Sequence, residues 1–230
     1  KEYRRQRQIC IRDRLTVQTD KEVEFPLYLR IPTWANQAQI HINGQKVTAP
    51  VTSGQYACIR RTWKNDDKVE LTLPMQLSLR TWQVNKNSVS VNYGPLTMSL
   101  KIQEKYVKSD SKETAIGDSQ WQKDADASQW PTYEIYPDSP WNYSLILNKD
   151  NALKDFKVIK KQWPADNFPF TQESVPLEIK TVGRQIPSWK VDQYGLCHEL
   201  PEADAPKREK EEITLIPMGA ARLRISAFPN

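Results

Sequence analysis

Apolar and polar residues alternate one by one along much of the first hundred positions. From Val23 the odd positions carry Val23, Phe25, Leu27, Leu29 and Ile31, while the even ones carry Glu22, Glu24, Pro26, Tyr28 and Arg30. A period of two sends one set to a buried face and the other toward water, which predicts a strand with one wet side. Pro26 offers no N–H to a ladder, so an edge or a bulge is expected here, and Pro32 ends the run. Ala38, Ile40 and Ile42 next alternate with Gln39 and His41 as far as Asn43-Gly44. Both residues of that dipeptide tolerate the positive φ of a type I′ turn, so a hairpin is predicted. His41 falls on the polar side and is expected to be an exposed strand residue.

The alternation continues through "QYACIRRTW", the turn "KNDD", and Val69, Leu71 and Leu73 up to Pro74. Met75, Leu77 and Leu79 resume it. Val89, Val91 and Tyr93 follow, then, past Gly94-Pro95, Leu96, Met98, Leu100 and Ile102. Upstream, Ile9, Ile11, Leu15 and Val17 share a parity interrupted by Asp13. Short strands at regular spacing with no helical period predict a β-sandwich or barrel. From Lys105 to Gln129 the chain turns polar, rich in Ser and Asp, and reads as a connection or a surface excursion. Strand patterns then return in "SPWNYSLIL", "SVPLEIKTV", "EEITLIP" and "ARLRISAFP", where Leu223, Ile225 and Ala227 alternate with Arg222, Arg224 and Ser226. The prediction is an all-β chain of two consecutive antiparallel, jelly-roll-like sandwiches. The first spans 1–105, a polar linker spans 106–129, and the second spans 130–230.

Composition narrows the chemistry. Sixteen Pro against seven Gly favour stiff corners over flexible tips. The net charge of +5 arises largely in "KEYRRQR" at the start, a solvated charge run without a nucleic-acid motif, and no nucleic-acid partner is expected. No apolar run reaches bilayer length, so no membrane span is predicted. The chain starts without Met and enters a strand pattern at once, as an excised or processed fragment would, which leaves the compartment open. Cys10, Cys58 and Cys197 match neither a disulfide framework nor a zinc template; Cys10 and Cys58 are expected to act as small core residues.

The acidic residues fall mostly in turns and polar connections, giving no ground for a glycosidase carboxylate pair. "LCHEL" sets Cys197, His198 and Glu199 side by side, yet adjacent residues on an extended chain point apart, and no catalytic or metal role is assigned to them. Phosphate loops, zinc helices and nucleophile elbows are missing from the sequence. Trp82, Trp121, Trp130, Trp163 and Trp189 lie in polar or Pro-rich surroundings. They are expected chiefly to plug cores and pin loops, with a sugar-stacking platform as the alternative.

"FPLYLRIPTWA" with "INGQ", then "RRTWKNDDKVELTLPM" and "VNYGPL", resembles the region after the catalytic domain in glycoside hydrolase family 127, the β-L-arabinofuranosidase-like proteins. "YPDSPWNYSL", "RQIPSW" and "EEITLIPMGAARLRISAFP" resemble the C-terminal part of the same proteins. The resemblance implies a two-sandwich region behind an α/α-barrel, with a cysteine nucleophile and a zinc held by cysteines and a glutamate in that barrel. A periplasmic or secreted parent acting on plant-type glycans fits the same resemblance. No catalytic, cofactor or metal position carries over to this chain. The shared residues Arg30, Ile31, Pro32, Trp34, Asn43, Gly44, Trp63, Gly94, Pro95, Trp141, Asn142 and Pro217 read as corners, turns and core plugs. Asp66-Asp67 stands where the family pattern leads us to expect Gly-Asp.

Overall fold

A computed structural model describes residues 10–109 and 129–230. Among the described residues fifteen strands run in chain order: β1 Cys10–Thr16, β2 Val23–Arg30, β3 Gln39–Ile42, β4 Gln45–Lys46, β5 Tyr56–Trp63, β6 Lys68–Pro74, β7 Leu77–Trp82, β8 Ser88–Tyr93, β9 Leu96–Leu100, β10 Glu104–Ser109, β11 Thr132–Pro137, β12 Tyr143–Leu145, β13 Lys157–Lys160, β14 Leu177–Gln185 and β15 Lys210–Pro217. A 3₁₀ turn, Met218–Ala220, follows β15. The ladders between these strands are antiparallel. The all-β prediction stands.

One core lies between two small sheets, β1-β6-β3-β4 and β2-β5. Leu29, Ala57, Ile59 and Trp63 enter from the second, and Ile40, Ile42, Val69 and Leu73 from the first. The parity read from the sequence is the parity observed: Leu29 is buried on β2, whereas Glu24, Tyr28 and Arg30 face solvent. Trp63 is fully buried; its indole N–H donates to the Phe25 carbonyl at 2.9 Å, and its ring stacks on Phe25. Asn43 (φ 52°) and Gly44 (φ 82°) make the predicted tight turn between β3 and β4. Cys58 departs from expectation. It faces solvent because its neighbours Ala57 and Ile59 take the inward parity. Cys10 lies on β1, with its side chain outside the described residues.

The second core sits in a seven-stranded sheet, ordered β12-β14-β15-β9-β8-β7 with β13 also on β14. Leu100 pairs with Leu215 and Met98 with Pro217, so strands from both sides of residues 106–129 share one sheet. The limits of the cores therefore do not coincide with the division read at 105: Met75, Val89, Val91, Met98, Leu100 and Ile102 pack with Tyr143, Leu177, Ile179 and Phe228. Alternation tells which face is buried but not which strand is the neighbour. The connection read from residue 105 begins instead as strand, since β10 pairs with β11 in a separate ribbon. β11 and β13 are further strands that the alternation did not announce.

The closing segment ties this body together. Leu100 N–H donates to Ile225, Val89 and Phe228 exchange backbone bonds, and Leu145 N–H donates to Pro229. Three different strands are engaged in turn, so the regular alternation read over Leu223, Ile225 and Ala227 is broken. Phe228 takes the fully buried place. Trp34, in the corner after β2, packs against both cores.

Candidate functional site

A loop anchored by one buried amide builds an open groove. Asn142 precedes β12; its side-chain N–H₂ donates to the carbonyls of Ile186 and Trp189 at 2.8 and 3.0 Å, and its carbonyl accepts from Gln185 at 3.0 Å. The backbone N–H of Ile186 returns a bond to the Asn142 carbonyl. Trp189, buried and edge-on to Trp141 at 5.2 Å, donates its indole N–H to the His198 carbonyl. These bonds fix the "IPSW" corner and the strap beyond it. The result is an open groove of about 670 Å³ lined by Trp189, His198, Glu199, Glu202, Asp204 and Lys86, among others. Lys86 reaches in from the β7–β8 turn and bonds Glu202 at 2.6 Å and the Leu200 carbonyl at 2.7 Å.

Cys197, His198 and Glu199 are all exposed, and their backbones face Val191 and Lys190 in a small loop. No group of three or more Cys, His, Asp or Glu among the described residues could hold a metal ion. Titratable groups with displaced pKa values serve the framework. Burial pushes Glu178 up, but bonds from Lys161 and Lys101 outweigh it and hold its carboxyl below the ordinary range. Burial first, then a bond to Glu211, pushes Tyr143 up to about 12.

The aromatic residues divide. Trp189 is buried, Trp82 and Trp163 are half-buried, and Trp130 is 69% exposed; Trp121 lies outside the described residues. The Trp82 indole donates to Ser90 and lies beneath the Arg80 guanidinium, so it is occupied within the fold. Two exposed tyrosines, Tyr28 and Tyr56, were not singled out by sequence. Their place on the polar parity of β2 and β5 was the available signal. His41 is half-buried rather than exposed, opposite Lys46 and Glu70, and its Nδ1 has no partner.

Most of the shared motif residues occupy structural places. Ile31 is fully buried, Asn43 bonds Asp67 and the Lys68 N–H, and Gly94 (φ +56°) sits where a Cβ would meet Met75 at 2.7 Å. Arg30 is the exception: it is exposed on the wet face of β2. At Asp66-Asp67, Asp66 itself has positive φ (63°), the conformation that a glycine adopts with least strain. Asp67 is buried and accepts from Lys64 N–H and Asn43, which hold its carboxyl below the usual range.

Residues 10–75 match the family model described as the middle domain of GH127 beta-L-arabinofuranosidase. Those limits bracket β1–β6, the strands of the first core. No curated protein matches the sequence. A solved structure titled a glycoside hydrolase aligns over 96% of this chain at 22% identity and TM-score 0.54. A GH127 beta-L-arabinofuranosidase from Geobacillus stearothermophilus aligns over 95% at 24% identity and TM-score 0.52. A further GH127 beta-arabinofuranosidase aligns over 96% at 21% identity and TM-score 0.53. At these identities the likeness is one of fold. The chain spans only 30%, 27% and 30% of the lengths of these three structures.

Proposed function

We propose that this chain is a non-catalytic β-sandwich region of a GH127-like glycoside hydrolase acting on glycans of the L-arabinofuranoside class. In this reading it braces an α/α-barrel catalytic domain upstream in the same polypeptide and helps to shape its cleft. The observation that carries the proposal is the agreement between the middle-domain match at 10–75 and the first hydrophobic core. The groove beside Trp189 supports it further, since its polar residues are exposed and its rigid corner is held by Asn142 rather than arranged around a reacting atom.

The test is hydrolysis of an aryl β-L-arabinofuranoside. The 230-residue chain should show no turnover above buffer. A longer polypeptide carrying the preceding sequence should turn it over and should lose thermal stability when this region is removed. Turnover by the present chain would overturn the non-catalytic reading, and an inactive longer polypeptide would overturn the assigned class.

A further inference from the structure

The outer face of β2-β5 sets two exposed tyrosines among arginines. In register, Pro26 lies opposite Arg60, Tyr28 opposite Cys58 and Arg30 opposite Tyr56. Tyr28 is 58% and Tyr56 65% exposed, and Arg30, Cys58 and Arg60 are exposed beside them. The two tyrosines are diagonal neighbours, a spacing of roughly 7–8 Å between Cα atoms. Cys58 is the small residue between Tyr56 and Arg60, leaving the ring of Tyr28 room on that side. Arg60 and Arg30 stand at opposite ends of the ring pair, about 13 Å apart along the strands at ~3.3 Å per residue.

The charges on this face are unbalanced in one direction. Among the described residues Arg12 and Arg14 engage Glu70, and Arg61 engages Asp67, but Arg30 and Arg60 make no ion pair. Glu24, opposite Thr62 near the far end, is the one acidic residue whose parity puts it on the same face. No aliphatic side chain shares that parity; the remaining positions hold Pro26 and Thr62. Tyrosine and arginine also mark protein interfaces, but those centre on a patch of packed apolar side chains, and here no aliphatic side chain joins the two rings. Flat aromatic rings flanked by planar guanidinium forks instead suit a ligand with apolar C–H faces and carboxylates.

We infer that the Tyr28–Tyr56 face is a binding site for an acidic, uronate-bearing oligosaccharide. The rings stack on the sugar faces, and Arg30 and Arg60 take the carboxylates at either end. The inference goes beyond the bracing role and does not depend on it, because it concerns a surface turned away from the first core. It also replaces tryptophan with tyrosine and arginine as the sugar-contacting residues.

The experiment titrates the full 230-residue chain with an oligogalacturonate, its fully methyl-esterified counterpart and a neutral galacto-oligosaccharide, read by backbone NMR and calorimetry. The oligogalacturonate should bind saturably with shifts along β2 and β5, more weakly as salt is raised. The esterified and neutral probes should bind less tightly. Arg30→Gln with Arg60→Gln should weaken binding about tenfold, because two exposed charged contacts are each worth up to a factor of about five. Tyr28→Ala with Tyr56→Ala should abolish the saturable shifts. These positions are exposed, so an unchanged thermal melt will show that each variant is folded. Absence of binding, equal binding of all three probes, or binding that no variant alters would overturn the inference. So would a concentration-dependent dimer that the Tyr28→Ala/Tyr56→Ala variant dissociates, since the face would then belong to a second copy.

Discussion

The two cores of this chain are closed in different ways. The first is assembled from six strands contiguous in sequence, Cys10 to Pro74, and is filled at its centre by Trp63. The second borrows β7–β9 from one half of the chain and β12–β15 from the other, and its closing segment bonds three of those strands. A locally assembled core depends on the large side chain inside it. A core assembled from distant strands depends also on the segment that joins its edges, since long-range pairing carries a loop-closure cost that native contacts must offset.

Removal of residues 222–230 should have the largest effect. It deletes buried Phe228 and the backbone bonds to Val89, Leu100 and Leu145, costing more than about 5 kcal/mol. Hydrogen exchange should accelerate across β8, β9 and β12 while β2 and β5 keep their protection. Equal loss in β2 and β5 would mean that the two cores unfold as one unit. Trp63→Ala comes next, at about 3–5 kcal/mol for a buried aromatic, and should expose the converse pattern in the same measurement.

Trp34→Ala sharpens the comparison differently, because that ring touches both cores. It should cost about 2–3 kcal/mol and separate the denaturant midpoints of the two bodies, observed by tryptophan fluorescence and by exchange in β5 and β14. An unchanged separation would show that Trp34 does not couple them. The smallest effect is expected for Asp67→Asn, about 1 kcal/mol at neutral pH. The folded carboxyl of Asp67 lies below its unfolded value of 3.8, so its contribution is present above that pH and is lost as pH falls through the lower folded value. Acid titration of the first body's stability should therefore steepen below about pH 4 in the native protein and be flatter in the variant.

Much of the first body was legible in the sequence. Val23–Ile31 and Tyr56–Trp63 alternate cleanly, and Asn43-Gly44 marks its turn by a conformation few other residues accept. Cys58 follows its parity between Ala57 and Ile59 and not the average burial of a cysteine. β10 and β11 were missed because they form a ribbon largely exposed on both faces, which leaves little alternation to see. The groove was legible only in part. "PWNYSL" and "IPSW" stood out as motifs, but nothing in either indicates that the Asn142 amide bonds the carbonyls of Ile186 and Trp189.

By itself the sequence determined the class of fold, the inward face of most strands and the places where the chain must turn. Side-chain polarity and backbone freedom are properties of each residue, and a period of two displays them directly. Only the tertiary structure decided that Leu100 pairs with Leu215, that Trp189 is buried, and that Tyr28, Tyr56, Arg30 and Arg60 share one uncovered surface. Backbone hydrogen-bonding groups are the same at every residue, so strand partners are selected by packing the whole chain, and no local stretch encodes that choice.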